Sequence, residues 1–427
     1  MWLRERTATT PGRLRFFAAL LAVALLFVGI VAVTAARDRR QATHAVATET
    51  EPVLVEADTL YSSLSDADAT ATTTFLTGGL EPPARRRRYL RDLHTASAEL
   101  TALAREVGDS TDAGASVSTI ASSLPLYSGE IETARANNRQ GLPIGAAYLR
   151  SASGRMRGTI LPAAGRLYDI EARRLASDYE SGVSSWSFAV LVFAGLAALA
   201  LLVLAQLYVM RLSNRIFNLP LLGASLLLFG LVAWAATSFA LEQNALSRAQ
   251  RDGSDSVEVL SATRILLLRA ESDESLALVA RGGGDAYAAD FAAVTRALGA
   301  PDGAHGLLAD AGALATRTHT DTAFGDFAGT LRRFEAVHGR IGALEASGEF
   351  PAAVSVAVGR HAEEAPLAAR LNTELAGQIT AAQARFEKAS SDATSALRDL
   401  LPGILLLVVG SVVLVLVGFG LRLKEYR

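Results

Sequence analysis

Four long apolar blocks constrain this 427-residue chain more than any other feature of it. They are "LRFFAALLAVALLFVGIVAVTAA" (Leu14–Ala36), "WSFAVLVFAGLAALALLVLAQLYVM" (Trp186–Met210), "LPLLGASLLLFGLVAWAATSFAL" (Leu219–Leu241) and "PGILLLVVGSVVLVLVGFGLRL" (Pro402–Leu423). Each holds roughly 20 or more residues with almost no charge, enough at ~1.5 Å rise per residue to cross a hydrocarbon layer of ~30 Å. A surface helix of a soluble domain keeps a polar stripe, and these blocks keep none. The expectation is four transmembrane helices at 14–36, 186–210, 219–241 and 402–422. The first block, with arginines before it and "VTAA" after it, also fits a cleaved signal peptide. Its apolar stretch is longer than a signal core of ~7–15 residues, so a retained anchor is the reading here.

Orientation follows from the basic residues. Arg4, Arg6, Arg13 and Arg15 lie at or before the start of the first span, Arg211 and Arg215 in the loop 211–218, and Arg422, Lys424 and Arg427 at the end. Short segments so enriched stay on the cytoplasmic side. Arg37, Arg39 and Arg40, just past the first span, oppose this assignment and are outnumbered. The expected plan is a multi-pass plasma-membrane protein with a cytoplasmic N-terminus (1–13), loop (211–218) and tail (423–427). Two extracytoplasmic domains, 37–185 and 242–401, complete it.

Several chemistries are disfavoured. There is no cysteine, hence no disulfide and no thiolate chemistry. The outer segments carry net charges of −2 and −7, the opposite of a nucleic-acid surface. The six histidines are scattered, and "HAEE" (His361–Glu364) lacks zinc-site spacing and reads as a solvated helix face. "RGGGDAY" lacks the Lys-Ser/Thr of a phosphate loop and reads as a turn. No catalytic, cofactor or metal site is expected, and no enzyme. The spans hold no acidic residue, lysine or histidine that would mark an ion path, and Gln206, Thr237 and Ser411 read as helix–helix hydrogen-bonding groups.

A shift of 205 residues lays span one on span three. It also lays "LSDADATATTTFLTGG" (Leu64–Gly79) on "RAESDESLALVARGGG" (Arg269–Gly284), so that Asp66 meets Glu271 and Asp68 meets Asp273. The expectation is a tandem duplication. Alanine, leucine, arginine and glutamate dominate the outer segments, which read as helical. Val53, Ala57, Leu60, Leu64, Ala67, Ala71 and Phe75 form a heptad seam, as do Tyr168, Ala172, Leu175, Tyr179 and Gly182. Leu371, Leu375, Ile379, Ala382, Phe386, Ala389, Ala393, Ala396 and Leu400 form a third. Breaks at "TGGLEPP", "GDSTDAG" (with Asp112 as a cap) and "RQGLP" divide the first domain into about four helices, with Pro162 kinking or starting the last. "RGGGD", "GAPDGAHG", "THTD" and "GEFP" divide the second similarly, with Pro366 near the start of its last helix. The fold class is thus an all-α membrane protein: four spans and two extracytoplasmic antiparallel four-helix bundles.

This plan resembles the four-helix-bundle sensing domains of chemoreceptors and sensor kinases. It is more closely similar to actinobacterial four-span membrane proteins of the glutamine-sensing type. The residues carrying the likeness are "LYSSLSDADATATTTFLTGGLEPPARRRRYLRDL" (Leu60–Leu93), "ILPAAGRLYDIEARRL" (Ile160–Leu175) and "LGAPDGAHGLLADA" (Leu298–Ala311). The resemblance implies a relay of extracellular amino-acid availability, of the aspartate, glutamate or glutamine class. It implies a glutamine-binding lipoprotein outside and a serine/threonine kinase, protein kinase G, inside as partners. It transfers no ligand residue. A scaffolding protein of the envelope, or an accessory transport component, is the alternative.

Two polar features stand out. Asp66, Asp68, Glu271 and Asp273 could hold a cation, but residues two apart on a helix diverge, and a solvated face is expected. Arg85, Arg86, Arg87 and Arg88 open a helix whose dipole they oppose. They read as a solvated, membrane-distal helix start or as a docking surface for an acidic partner. Besides the bilayer, the lipoprotein and a kinase or adaptor, a homodimer or an intrachain pseudo-dimer of the two outer domains is expected, and no nucleic acid.

Overall fold

The computed structural model describes residues 10–79, 81–108, 111–182, 185–213, 218–281, 283–299, 305–358 and 362–424. Arg4, Arg6, Arg215, His361, Arg427 and most of the "GAPDGAHG" turn lie outside the described residues. In chain order the helices of the first half are α1 (Thr10–Ala45), α2 (Glu51–Phe75), α3 (Pro83–Glu106), α4 (Asp112–Arg139), α5 (Ile144–Arg155), α6 (Leu161–Gly182) and α7 (Ser185–Ser213). The second half supplies α8 (Leu219–Arg248), α9 (Asp255–Ala280), α10 (Asp285–Leu298), α11 (Gly306–Thr318), α12 (Asp321–Ala346), α13 (Phe350–Val358), α14 (Glu364–Ala396) and α15 (Leu400–Lys424). Wider π-helical turns occupy Val46–Thr50, Met156–Ile160 and Ala249–Ser254. Two of them directly precede a proline in the next helix, Pro52 and Pro162. There the wider turn accommodates a residue that has no N–H to give.

The chain divides into two compact units. The first, from residues 1–48, 176–248 and 388–427, is apolar. Four of the chain's helices are long and apolar enough to cross a membrane, and the expected spans fall within α1, α7, α8 and α15. Neighbours pack in the order α1–α7–α8–α15, with α15 closing back onto α1. Leu25, Val28 and Ala32 of α1 meet Leu202 of α7, Leu228 of α8 and Ile404 of α15 in the interior. The outer surface is apolar as well: Phe27, Phe193 and Leu406 are exposed, as a lipid-facing surface requires. Gly29 lies so close to Val408 that a Cβ there would sit 2.9 Å from its side chain, the small-residue packing used between membrane helices.

Polar groups in this unit depart from expectation in two ways. Gln206 does bond across helices, to Ser225 at 3.0 Å, but Thr237 and Ser411 bond back to the carbonyls of Ala233 and Leu407 on their own helices. Arg39, counted only as a charge against the topology, is buried. Its guanidinium donates to Glu242 at 2.5 Å, Thr43 donates to the same carboxylate at 3.1 Å, and the guanidinium lies over Phe239. Both charges are almost wholly removed from solvent, at 5 % and 0 % exposure.

The second unit, from residues 49–175 and 249–387, joins the long polar segments of both halves. One apolar cluster comes almost entirely from the first half, with Leu60, Leu64, Leu103, Ile120, Tyr127 and Ile160 at its centre. Two more, around Phe327, Phe334 and Leu371 and around Ile341 and Ala353, come from the second. The seam on α2 is buried from Val53 to Ala67, with Ala71 and Phe75 packed at its edge. On α6 the expected seam holds at Leu175 and Tyr179, but before them the buried line passes through Leu167 and Glu171, while Tyr168 and Ala172 are only half-buried. The α14 seam holds, apart from the half-buried Ala396. Thr111, not Asp112, caps α4, accepting from the Gly114 amide at 3.0 Å. Its β-region backbone places the hydroxyl over the helix start. Gly78 and Gly79 adopt left-handed backbone after α2, but at the matching break in the second half the left-handed position is Arg281. Among the described residues the second half carries six helices, α9 to α14, rather than about four: all four expected breaks separate helices, and α13 ends at Val358, before α14 begins at Glu364.

The Arg39–Glu242 pair yields a stability prediction. Glu242→Ala strands a buried guanidinium and lowers the stability of the full chain in detergent by about 3–5 kcal/mol, whereas replacing both residues by leucine restores most of the loss. Thermal unfolding of the three proteins checks this, and equal melting of the single and double variants would contradict it.

Candidate functional site

Helix α2 is the axis of the polar unit. From Ala57 to Thr74 nearly every residue is buried, including Asp58, Asp66, Asp68, Thr72 and Thr73. Its apolar stripe serves the first-half core, and its polar stripe packs along α9, where Ser261, Ser272, Asp273 and Ser275 are buried too. The expected solvated face of Asp66, Asp68 and Asp273 is therefore an interior, and Glu271 is partly buried beside it. The divergence of residues two apart holds, but α2 is enclosed on both sides, so each carboxylate meets a different set of donors.

Asp66 accepts from Arg88 of α3 at 2.8 Å, from Arg264 of α9, and from the Asn372 amide of α14 at 3.1 Å. Arg264 also donates to the Asn372 carbonyl oxygen at 2.5 Å. Asp68 accepts from Ser153 at 2.8 Å, Ser272 at 3.2 Å and Tyr127 at 3.3 Å, with Arg157 3.8 Å away. Arg157, in the π-helical turn before α6, is ion-paired with Asp273 and lies 3.6 Å from Asp290. Ser261 donates to Asp58 at 2.9 Å, Thr72 to Ser272 at 3.3 Å, and Thr73 meets Ser275 at 3.2 Å. A ladder of hydrogen bonds and ion pairs thus joins the halves, and its α2–α9 rungs link residues 198 to 204 apart.

Burial sets the electrostatics. It pushes Asp58 up to about 6 and Asp273 up to about 6, the latter against the pull of Arg157. Asp68 is raised for the same reason despite Arg157 and three hydroxyl donors. A second acidic group lies within the second half. Glu274 accepts or shares a proton with His338 at 3.0 Å, and His338 stacks on Phe291. Glu364, read from sequence as part of a solvated face, is buried, and burial raises both glutamates.

The arginine run turns largely inward. Arg88 holds Asp66, Arg86 donates to Glu132 at 2.6 Å, and Arg85 reaches the Thr73 carbonyl at 3.5 Å, while Arg87 is exposed. Next to the run lies a cavity of about 370 Å³ bordered by Phe75, Glu81, Arg86, Tyr89, Glu132 and Arg135. Its charges are paired: Arg135 meets both Glu81 and Glu132, and Arg86 and Arg135 both lie over the Tyr89 ring. Two smaller cavities, of about 130 and 110 Å³, flank the α2–α9 ladder. Among the described residues no group of three or more His, Asp or Glu is placed to hold a metal ion. Arg157, Arg264 and Asn372 escape sequence reading because nothing near them in sequence announces a partner. The match of acid pairs under the 205-residue shift, with serines and threonines around both, is the signal that pointed at α2 and α9.

Asp58 gives a pH prediction. Its folded-state pKa is raised from 3.8 to about 6 by burial. Its favourable contribution is therefore complete below about pH 3.8 and is lost as the pH rises through about 6. Asp58→Asn keeps the acceptor for Ser261 without the charge. The full-length variant should exceed wild type in stability above pH 7, by of order 2–3 kcal/mol, and the gap should close towards pH 4. Melting curves across that range check it, and a gap independent of pH would contradict it.

No curated protein and no solved structure matches the chain. The family model of the actinobacterial sensor domain matches residues 42–180, the stretch that holds α2, the arginine run and Arg157. That match supports an actinobacterial sensor protein with a sensing or signalling role.

Proposed function

We propose that the chain is a non-enzymatic transmembrane sensor in which the α2–α9 ladder is the element that changes state. The observation that carries this reading is the density of buried charge on α2, within the sensor-domain match. Such a network stabilises only while every member keeps its partner. A modest change in the contacts of one helix then favours another packing of the two halves, and a ligand that prefers one packing shifts the population. All four passages of the chain between the units, near residues 48, 175, 248 and 387, lie within helical structure, which suits relay along helices.

In this reading the chain is a tandem duplication, each copy contributing two spans and one extracytoplasmic helical bundle, with the ladder as an intrachain pseudo-dimer interface. Rungs near the 205-residue offset support it, as do the π-helical turns at Val46–Thr50 and Ala249–Ser254, which the same offset nearly superposes. The termini are cytoplasmic, and the signal is amino-acid availability of the aspartate, glutamate or glutamine class. It arrives through a solute-binding lipoprotein and leaves through a cytosolic serine/threonine kinase, as the resemblance of Leu60–Leu93 implies. Arg87 is the member of the arginine run best placed to meet an acidic partner.

Hydrogen exchange on the full chain in lipid nanodiscs tests this. Adding glutamine, glutamate or aspartate together with a glutamine-binding lipoprotein should change amide protection at 58–75 and 256–276, by about tenfold or more at the responsive positions. Unchanged protection with every amino acid and with the lipoprotein would overturn the relay.

A further inference from the structure

The cavity of about 110 Å³ beside the ladder is bordered by α2 and α3 from the first half and by α9 and α14 from the second. It is several times the ~10–15 Å³ that one water occupies. Two of its polar groups are committed elsewhere: Arg88 and Asn372 both hold Asp66. Three are not. Arg85 makes a single contact, to the Thr73 carbonyl at 3.5 Å, and belongs to no ion pair. Glu271 makes a single contact, from the Thr73 hydroxyl at 3.4 Å, and belongs to no ion pair either. The Thr74 hydroxyl, on a residue only 6 % exposed, has no hydrogen-bond partner. Opposite charges therefore converge on one threonine from opposite halves; they attract each other, and Arg88 attracts Glu271 as well, but each makes only one hydrogen bond, at the long edge of the range.

Charges placed this way are costly, because a half-buried ion loses hydration that attraction across a gap, without direct contact, does not fully replace. Burial accordingly lowers the pKa of Arg85 and raises that of Glu271, each shift favouring the neutral form. A plain anion would satisfy Arg85 and be repelled by Glu271. A simple amine would satisfy Glu271 and be repelled by Arg85 and Arg88. A molecule carrying both charges a few bonds apart satisfies both.

We propose that this cavity binds the zwitterionic head of a free α-amino acid, its carboxylate on Arg85 and the Thr74 hydroxyl and its ammonium on Glu271. Ala369, exposed at the cavity edge, marks the side on which the ligand's side chain leaves. The site takes the ligand directly on this chain, and it touches α2 and α9 together. It rests on reading the polar unit as a sensor and adds a ligand and a location to that reading.

The test is calorimetry on the full chain in nanodiscs without any lipoprotein. Glycine serves as the minimal zwitterion, alanine, aspartate and glutamine as its extensions, and acetate and methylamine as single-charge controls. At least one amino acid should bind, with both controls at least about tenfold weaker. Arg85→Gln should weaken it by about 10- to 100-fold, as loss of a charge-assisted hydrogen bond does. Glu271→Gln should weaken the amino acid while narrowing its advantage over acetate. Where a variant fails to fold, hydrogen exchange on wild type decides: the amino acid should protect 70–74 and 365–372 together. The proposal is overturned if no amino acid binds at millimolar concentration, if both variants bind as wild type does, or if protection changes only elsewhere. An amino-acid response that needs the lipoprotein overturns this site and leaves the relay standing.

Discussion

The polar unit depends on how three carboxylates of one helix are kept out of water. Asp58, Asp66 and Asp68 lie on α2, and their donors come from both halves of the chain: Arg88, Tyr127 and Ser153 from the first, Ser261, Arg264, Ser272 and Asn372 from the second. Withdrawing either set leaves buried charge uncompensated, which costs more than any single apolar contact contributes. Burial of α2 on all sides, the merging of both long polar segments into one unit, and the inward turn of the arginine run all serve this one requirement. An apolar seam between the halves would bind more tightly but would tolerate sliding. Directional hydrogen bonds at fixed intervals set the register.

The apolar unit is built on the opposite principle and contains one exception to it. Its helices are apolar inside and out, so packing and small residues such as Gly29 hold them together rather than differential burial. The exception, Arg39 with Glu242, is again a contact between the first and second halves. Both units thus place buried charge between the halves, in the apolar unit beside apolar contacts such as Gly29 with Val408.

Much of this was legible in the sequence. Apolar length alone located the four candidate spans, and heptad spacing located the buried face of α2, because both depend on local periodicity. What local periodicity cannot report is a second buried face made of polar residues. Ser62, Ser65, Asp66, Thr72 and Thr73 have the composition of a solvent-facing stripe, and only the enclosing helices make them interior. The same limit explains Glu364, read as solvated, and Arg39, read as a topology signal. Cap chemistry was legible to within one residue, Thr111 in place of Asp112, since both residue types suit the position. The α6 seam was legible at Leu175 and Tyr179; before them the buried line runs through Leu167 and Glu171, and a carboxylate at a buried position breaks the apolar pattern that a seam is read from.

The Arg39–Glu242 contact also bears on how the protein is made. Each residue adjoins an apolar block that leaves the ribosome at a different time; the two lie 203 positions apart, with more than half of that stretch outside any expected span. Until α8 arrives, the guanidinium of Arg39 has no carboxylate to meet, and α1 has reason to remain close to the interface, where water can solvate it. The pair can therefore form only after Glu242 has been made. A chain ending before α8 would carry Arg39 without its counter-charge.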